Sequence, residues 1–297
     1  MSGCLNGVQA KIKQYFPSAI YTHCMSHRLN LVVLDMCKGI KIARNVFNIL
    51  ESLYVHFSRP SNNAKLLEIQ NELGLKKGNV IRVGDTRWVC RYRNCNSMIN
   101  NYSAILKFLK NEIEEEADKD VAEAIGIISQ ITKCQFVVLV MVLRDVLGVI
   151  NILSTTLQSK TATLGKAEMI INSVIESFKN MRTDKSFSEL WLKIIQFCET
   201  NDISIEVSPP VTKRKRTQPT NLMNFHLETT TSANFDEQDQ DMSEAYWRRT
   251  VYFPIIDTII NNLKFRFSTE NLQMAKAIES FMDMDFEKSR YFIQHYK

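Results

Sequence analysis

Cys24-Met25-Ser26-His27-Arg28-Leu29-Asn30-Leu31-Val32-Val33 opens an apolar helix with a thiol and an imidazole three residues apart. Helical geometry sets Cys24, His27, Leu31 and Leu34 on one face. Downstream, Gly84-Asp85-Thr86-Arg87-Trp88-Val89-Cys90-Arg91-Tyr92-Arg93 alternates cations with aromatic rings. Guanidinium groups neutralise phosphates and an indole stacks on an unpaired base, which makes Arg87, Trp88, Arg91, Tyr92 and Arg93 candidate nucleic-acid-binding residues. The competing reading is structural, because a Trp at the start of a long helix often packs inside while neighbouring arginines reach out to water. Cys24 and His27 can supply half of a zinc site, but closure needs two more ligands. Cys90 and Cys95 are five apart and no other pair has knuckle spacing, so no metal or other cofactor is expected. The pair reads instead as a structural motif, a buried imidazole holding the helix against a neighbouring strand.

The bulk numbers narrow the class. A chain of 297 residues with 45% hydrophobic content can bury a sizeable core and is not a disordered tail. Lys+Arg 37 against Asp+Glu 32 gives +5, which favours polyanions without requiring them. Cys4, Cys24, Cys37, Cys90, Cys95, Cys134 and Cys198 are odd in number and scattered through apolar patterns, as free thiols of a reducing compartment would be. The start lacks the pattern of a secretory signal. The longest apolar run, Phe136 to Leu143, ends at Arg144-Asp145 and is too short to span a bilayer, so a soluble protein with no membrane partner is expected.

Gly (9) and Pro (6) are sparse, and apolar residues recur at spacings of three and four, so helix dominates. The periodicity predicts helices over 40–57, 60–74, 87–116, 119–131, 134–157, 163–181 and 186–199, with short strands at Ala19–Thr22 and Asn79–Val83. Met98, Tyr102, Ile105, Leu109 and Ile113 make one buried stripe, and the acidic run from Glu112 to Asp120 reads as a solvated face. The pattern fails between Asn201 and Asp241, which reads as a mobile linker. That linker carries Lys213-Arg214-Lys215-Arg216, a compact basic cluster of the form used for nuclear import, or for nonspecific phosphate contact. Beyond it, Phe253, Ile256, Ile260, Leu263 and Phe267 form a narrow seam suited to packing on another helix, with Pro254 in the first turn. Trp247-Arg248-Arg249 just before the seam reads as part of a dimer face or as packed inside, and packing inside is the default expectation.

Taken together, the C-x-x-H helix continuing into Leu29-Asn30-Leu31-Val32-Val33 and the Thr86-Arg87-Trp88 string resemble the hAT superfamily of DNA transposases and their domesticated descendants. The likeness is to the branch of zinc finger MYM-type protein 1-like, or DUF4371, proteins; Gly7-Val8-Gln9-Ala10 and Leu157-Gln158-Ser159-Lys160 also look like segments of it. The resemblance implies a mainly α chain with an incomplete ribonuclease-H-like α/β core and a large all-helical insertion domain. The corresponding division is 1–83 partial core, 84–200 helical insertion, 201–242 linker and 243–297 C-terminal helices. It also implies that Cys24 and His27 lie near the catalytic centre and that Trp88 matches a Trp stacking on a flipped base.

In that family a D-G-A-x-N-M-S-G segment carrying a catalytic Asp precedes G-V-Q-A, whereas this chain starts at Met1-Ser2-Gly3. The first family carboxylate lies further upstream, and the S-E-R segment holding the last Glu has no match before Lys297. Two-metal phosphoryl transfer needs carboxylates that hold both cations, so no catalytic residue and no enzyme activity are expected. Asp35 and Asp85 read as capping or solvated acids. The expected function is binding of DNA or of a nuclear protein partner, in the nucleus, with homo-oligomerisation allowed. The alternative is a helical protein–protein scaffold that ignores nucleic acid, and an active nuclease is expected only if a longer product restores the acids.

Overall fold

The computed structural model describes residues 7–19, 25–83, 88–115, 120–157, 164–205, 242–267 and 269–296. The apolar repeats become helices α1 (Val8–Tyr15), α2 (Met25–Gly39), α3 (Lys41–Phe57), α4 (Pro60–Glu72), α5 (Trp88–Asn100), α6 (Tyr102–Glu114) and α7 (Asp120–Ile131). They continue as α8 (Cys134–Leu157), α9 (Leu164–Met181), α10 (Asp184–Thr200), α11 (Met242–Trp247), α12 (Phe253–Arg266), α13 (Thr269–Met282) and α14 (Arg290–His295). A mainly α fold is what the three- and four-residue spacing dictates.

The 24-residue helix α8 is the axis of the fold, touching α2, α3, α5, α7, α9 and α10. Its apolar residues run round the whole helix rather than along one stripe, which suits a helix enclosed by others. Leu143, Val146, Leu147, Ile150 and Leu153 are fully buried, each such burial contributing about 1.5–3 kcal/mol. The helix has the bounds expected of it: Arg144 and Asp145, which end the apolar run, pair with one another at 3.0 Å and the helix continues to Leu157. By length and composition alone α8 is long and apolar enough to cross a membrane. In this fold protein side chains cover most of it.

Residues of the first 83 positions, of 84–200 and of the C-terminal helices share one hydrophobic cluster. Helix α12 lies against α2 and α9, and the predicted seam supplies Ile256, Ile260, Leu263 and Phe267 to the core. Pro254 is in the first turn of α12 as its sequence position suggests. Immediately before it, Arg248–Tyr252 forms a π-turn. A proline in helix removes an N–H and crowds the carbonyl four residues back, and the wider turn accommodates both. Trp247 is buried as expected.

The structure does not support the ribonuclease-H-like core expected over 1–83, since no strand is present among the described residues. Asn79–Val83 is extended but has no strand partner, and side chains meet its backbone instead. Gln70 Nε2 donates to the Gly78 carbonyl at 2.8 Å, Gly78 N–H donates to Gln70 Oε1 at 2.9 Å, and Val83 N–H donates to Glu51 Oε2 at 3.0 Å. Asn94 Nδ2 donates to the Ile81 carbonyl. The other expected strand lies outside the described residues except for Ala19, which is not in a strand.

The single helix expected over 87–116 is two, broken at Asn101 (φ −112°, ψ 11°). Asn101 Nδ2 donates to the Ser97 carbonyl at 2.9 Å, and its Oδ1 accepts from Gln70 at 3.0 Å. An Asn side chain that competes for backbone partners in this way favours a helix end. Tyr102 then starts α6 with its hydroxyl donating to the Ile131 carbonyl at 3.0 Å.

The acidic run is not uniformly a solvated face. Glu112 reaches the fully buried His56, with 2.9 Å between Oε2 and Nε2, while Glu123 stands 3.5 Å from Nδ1. Asn62 donates to the His56 carbonyl at 3.2 Å, and Phe57 and Phe108 meet the imidazole edge-on. This polar knot joins α3, α4, α6 and α7.

Candidate nucleic-acid interface

Helix α5 and the extended segment 75–83 run between two clefts, and the sequence places cations on both. Gly74, at φ 65°, lets the chain leave α4: Leu75 N–H returns to the Gln70 carbonyl at 2.8 Å, a helix-ending turn that a residue with Cβ adopts only with strain. Lys76-Lys77-Gly78-Asn79 follows, held back against α4 by the Gln70 clamp.

Arg91 and Arg93, two residues apart on α5, point to opposite clefts. Arg91 is only 7% exposed; its Nη1 donates to Cys37 Sγ at 3.3 Å and its guanidinium lies 4.6 Å over the Phe47 ring. Burial pushes the Cys37 thiol above its ordinary range, an effect opposed by the nearby Arg91 and Arg44 charges. Neighbouring Cys95 is pushed up to about 12 by burial and then by Cys37. Arg91 and Cys37 line cleft one, about 590 Å³, where the cations Lys38, Arg44 and Arg82 face Glu51, the one carboxylate among the described residues of the lining. Arg91 is therefore buried between α2 and α3 and does not lie on the open surface that Arg93 occupies.

Arg93 is exposed and Tyr92 half-buried, and both line cleft two, about 880 Å³. Lys76, Lys77, Asn79, Asn96, Asn100 and Asn101 share that lining, which contains no carboxylate among the described residues. None of Lys76, Lys77, Arg93, Asn96 or Asn100 makes a side-chain hydrogen bond or ion pair among the described residues. The Tyr92 ring rests on α8 at Gly148, where an added Cβ would meet Cε2 at 3.3 Å. Three cations and four asparagines thus line one groove, an arrangement that suits phosphate oxygens and the donor and acceptor edges beside them.

The other predicted residues are not brought to this place. Cys24, Arg87, Asp85, Lys213, Arg214, Lys215 and Arg216 lie outside the described residues, as does the Trp88 side chain. His27 is exposed, not the buried imidazole expected, because the buried face of α2 is carried by Leu29, Val32, Val33 and Met36. Asp35 is neither a cap nor free in solvent: it pairs with Arg266 of α12, whose carbonyl also accepts from Arg28 at 3.1 Å. Among the described residues no group of three or more His, Cys, Asp or Glu side chains could hold a metal ion. Sequence reasoning misses Lys76 and Lys77, whose signal is a basic pair one residue beyond a helix-ending Gly.

The molecule is thus a helical protein with two cationic clefts sharing one wall. No family model and no solved structure matches the chain. It is similar to the 52 kDa repressor of the inhibitor of the protein kinase of Mus musculus, at 22% identity over 286 residues, covering 91% of this chain and 35% of that protein. The protein of the same name from Homo sapiens is 22% identical over 285 residues with the same coverage. The chain spans about a third of the length of these relatives.

Proposed function

We propose that this chain is a transposase-derived unit that binds DNA in the nucleus without cutting it, through cleft two. The observation that carries the reading is the groove lined by Lys76, Lys77 and Arg93, with no carboxylate among its described residues. Cations without carboxylate neighbours release counterions from a phosphate backbone and lose no binding to internal pairing. The hAT-like motifs support the transposase-derived part of the reading, and the similarity to a protein named a repressor of the inhibitor of the protein kinase supports a regulatory role. The engagement of Asp35 by Arg266 also argues against its acting as a cation ligand.

Filter binding of duplex DNA by the wild type and the K76A/K77A/R93A variant tests the reading. At low salt the variant should bind at least about tenfold more weakly, and the slope of log affinity against log salt should fall by about 3, near 0.9 per lost contact. Unchanged affinity and slope overturn it. Labelled DNA incubated with manganese should remain intact.

A second reading, a scaffold for a protein partner, is favoured by the apolar C-terminal surface, where Phe281, Met282, Met284, Phe286, Tyr291 and Tyr296 are exposed. DNA binding absent at both low and high salt would favour it.

A further inference from the structure

We propose that cleft two takes a single DNA strand, its bases unpaired, in preference to a duplex, which presupposes that the cleft binds DNA. Its banks and its floor differ in chemistry. Lys76 and Lys77 are exposed on the bank formed by the turn after α4, and Arg93 is exposed on the bank formed by α5. The half-buried Leu75, Ile81, Tyr92 and Asn96 lie lower in the lining. A surface that meets phosphates alone needs the cations and has no use for such a floor.

Duplex DNA carries its phosphates outward and keeps its bases paired and stacked within, so to this groove it offers charge and little else. A single strand offers both parts: its backbone runs along the cations while its bases turn inward and lay a flat face against ring and aliphatic groups. The Tyr92 ring is already held in place by α8, where a Cβ added at Gly148 would stand 3.3 Å from Cε2. A ring fixed before binding loses little freedom on contact. From Tyr92 to Asn100 the α5 wall is about 12 Å long, room for a short run of nucleotides.

The asparagines of α5 divide into two kinds. Asn94 and Asn101 are buried, and their amides engage the Ile81 carbonyl, the Ser97 carbonyl and Gln70, so the fold accounts for both. Asn96 and Asn100 lie three and seven residues beyond Arg93 on the same face, and neither makes a side-chain hydrogen bond among the described residues. Asparagine is a weak helix former, so α5 gains nothing from it at position 96. An amide presents a donor and an acceptor side by side, the pattern of an unpaired base edge. In a duplex that edge is taken by the opposite base.

Fluorescence anisotropy of the whole chain with a short labelled DNA tests the inference, the DNA being offered as a single strand, as the same strand in a duplex, and as an abasic strand of equal length. The wild type should bind the single strand about tenfold more tightly than the duplex or the abasic strand, the effect of stacking a base or more. A purely electrostatic surface gives the reverse order for strand and duplex, because the duplex has the higher charge density. N96A/N100A, with unchanged thermal unfolding, should bind the single strand about fivefold more weakly and the duplex as before, whereas K76A/K77A/R93A should weaken all three. Equal or tighter binding of the duplex by the wild type overturns the inference and leaves the DNA-binding reading standing; no binding of any probe at low salt overturns both. An abasic strand bound as tightly as the intact one also overturns the inference, and that comparison needs no variant.

Discussion

Arg91 and Arg93 sit two positions apart on one helix, yet the first is wedged between a thiol and a phenyl ring and the second lies open on a groove. Two residues advance a helix by about 200°, so neighbours in a basic–aromatic string face opposite ways. What decides their roles is what each side meets: α3 supplies Phe47 and α2 supplies Cys37 on one side, and the turn after α4 supplies Lys76 and Lys77 on the other. An alternating string of cations and rings is thus not one surface.

The largest expected effect that sharpens this contrast is on stability. Arg91→Ala removes a buried cation–ring contact and a polar contact to sulfur and leaves a void, which should lower the unfolding free energy by about 3 kcal/mol in a urea titration. If stability is unaffected, Arg91 is not the wedge described here. Gln70→Ala should cost about 1–2 kcal/mol, because Gly78 loses both a donor and an acceptor partner. It should also weaken DNA binding, since Lys76 and Lys77 lose their support. Arg93→Ala should change stability by less than about 0.5 kcal/mol yet reduce the salt slope of DNA binding by about 0.9. A stability loss as large as that of Arg91→Ala would erase the distinction between the two sides. The smallest effect should be that of Gly148→Ala, where a helix-propensity gain of about 1 kcal/mol is offset by crowding of the half-buried Tyr92 ring. Chemical denaturation should place this variant within about 0.5 kcal/mol of the wild type.

Helix was legible because its signal is local. The apolar spacing of α3, α7, α8 and α9 predicts their observed bounds to within a residue or so, and the Phe253 seam and Pro254 are where periodicity and proline geometry put them. The strand at Asn79–Val83 was misread for a physical reason. Extended backbone can be recognised from β-branched and apolar residues, but a strand exists only if another strand answers it, and here Gln70, Glu51 and Asn94 do so. The break at Asn101 depends on Gln70 from another helix.

Within the site, Tyr92 and Arg93 were legible as cleft residues, whereas Arg91 was not, because its neighbours Cys37 and Phe47 are more than forty positions away. His56 was passed over for the same reason. Its meaning comes from Glu112 and Glu123, which the sequence alone presents as part of a solvated acidic stretch and an ordinary amphipathic helix.

The clamped segment 75–83 has a mechanical consequence. Its early residues line one cleft and its last two line the other, so a displacement that tightens the grip on one side moves the opposite boundary as well. Because side chains rather than a sheet ladder hold it, such a shift stretches a few discrete bonds instead of disrupting a cooperative array.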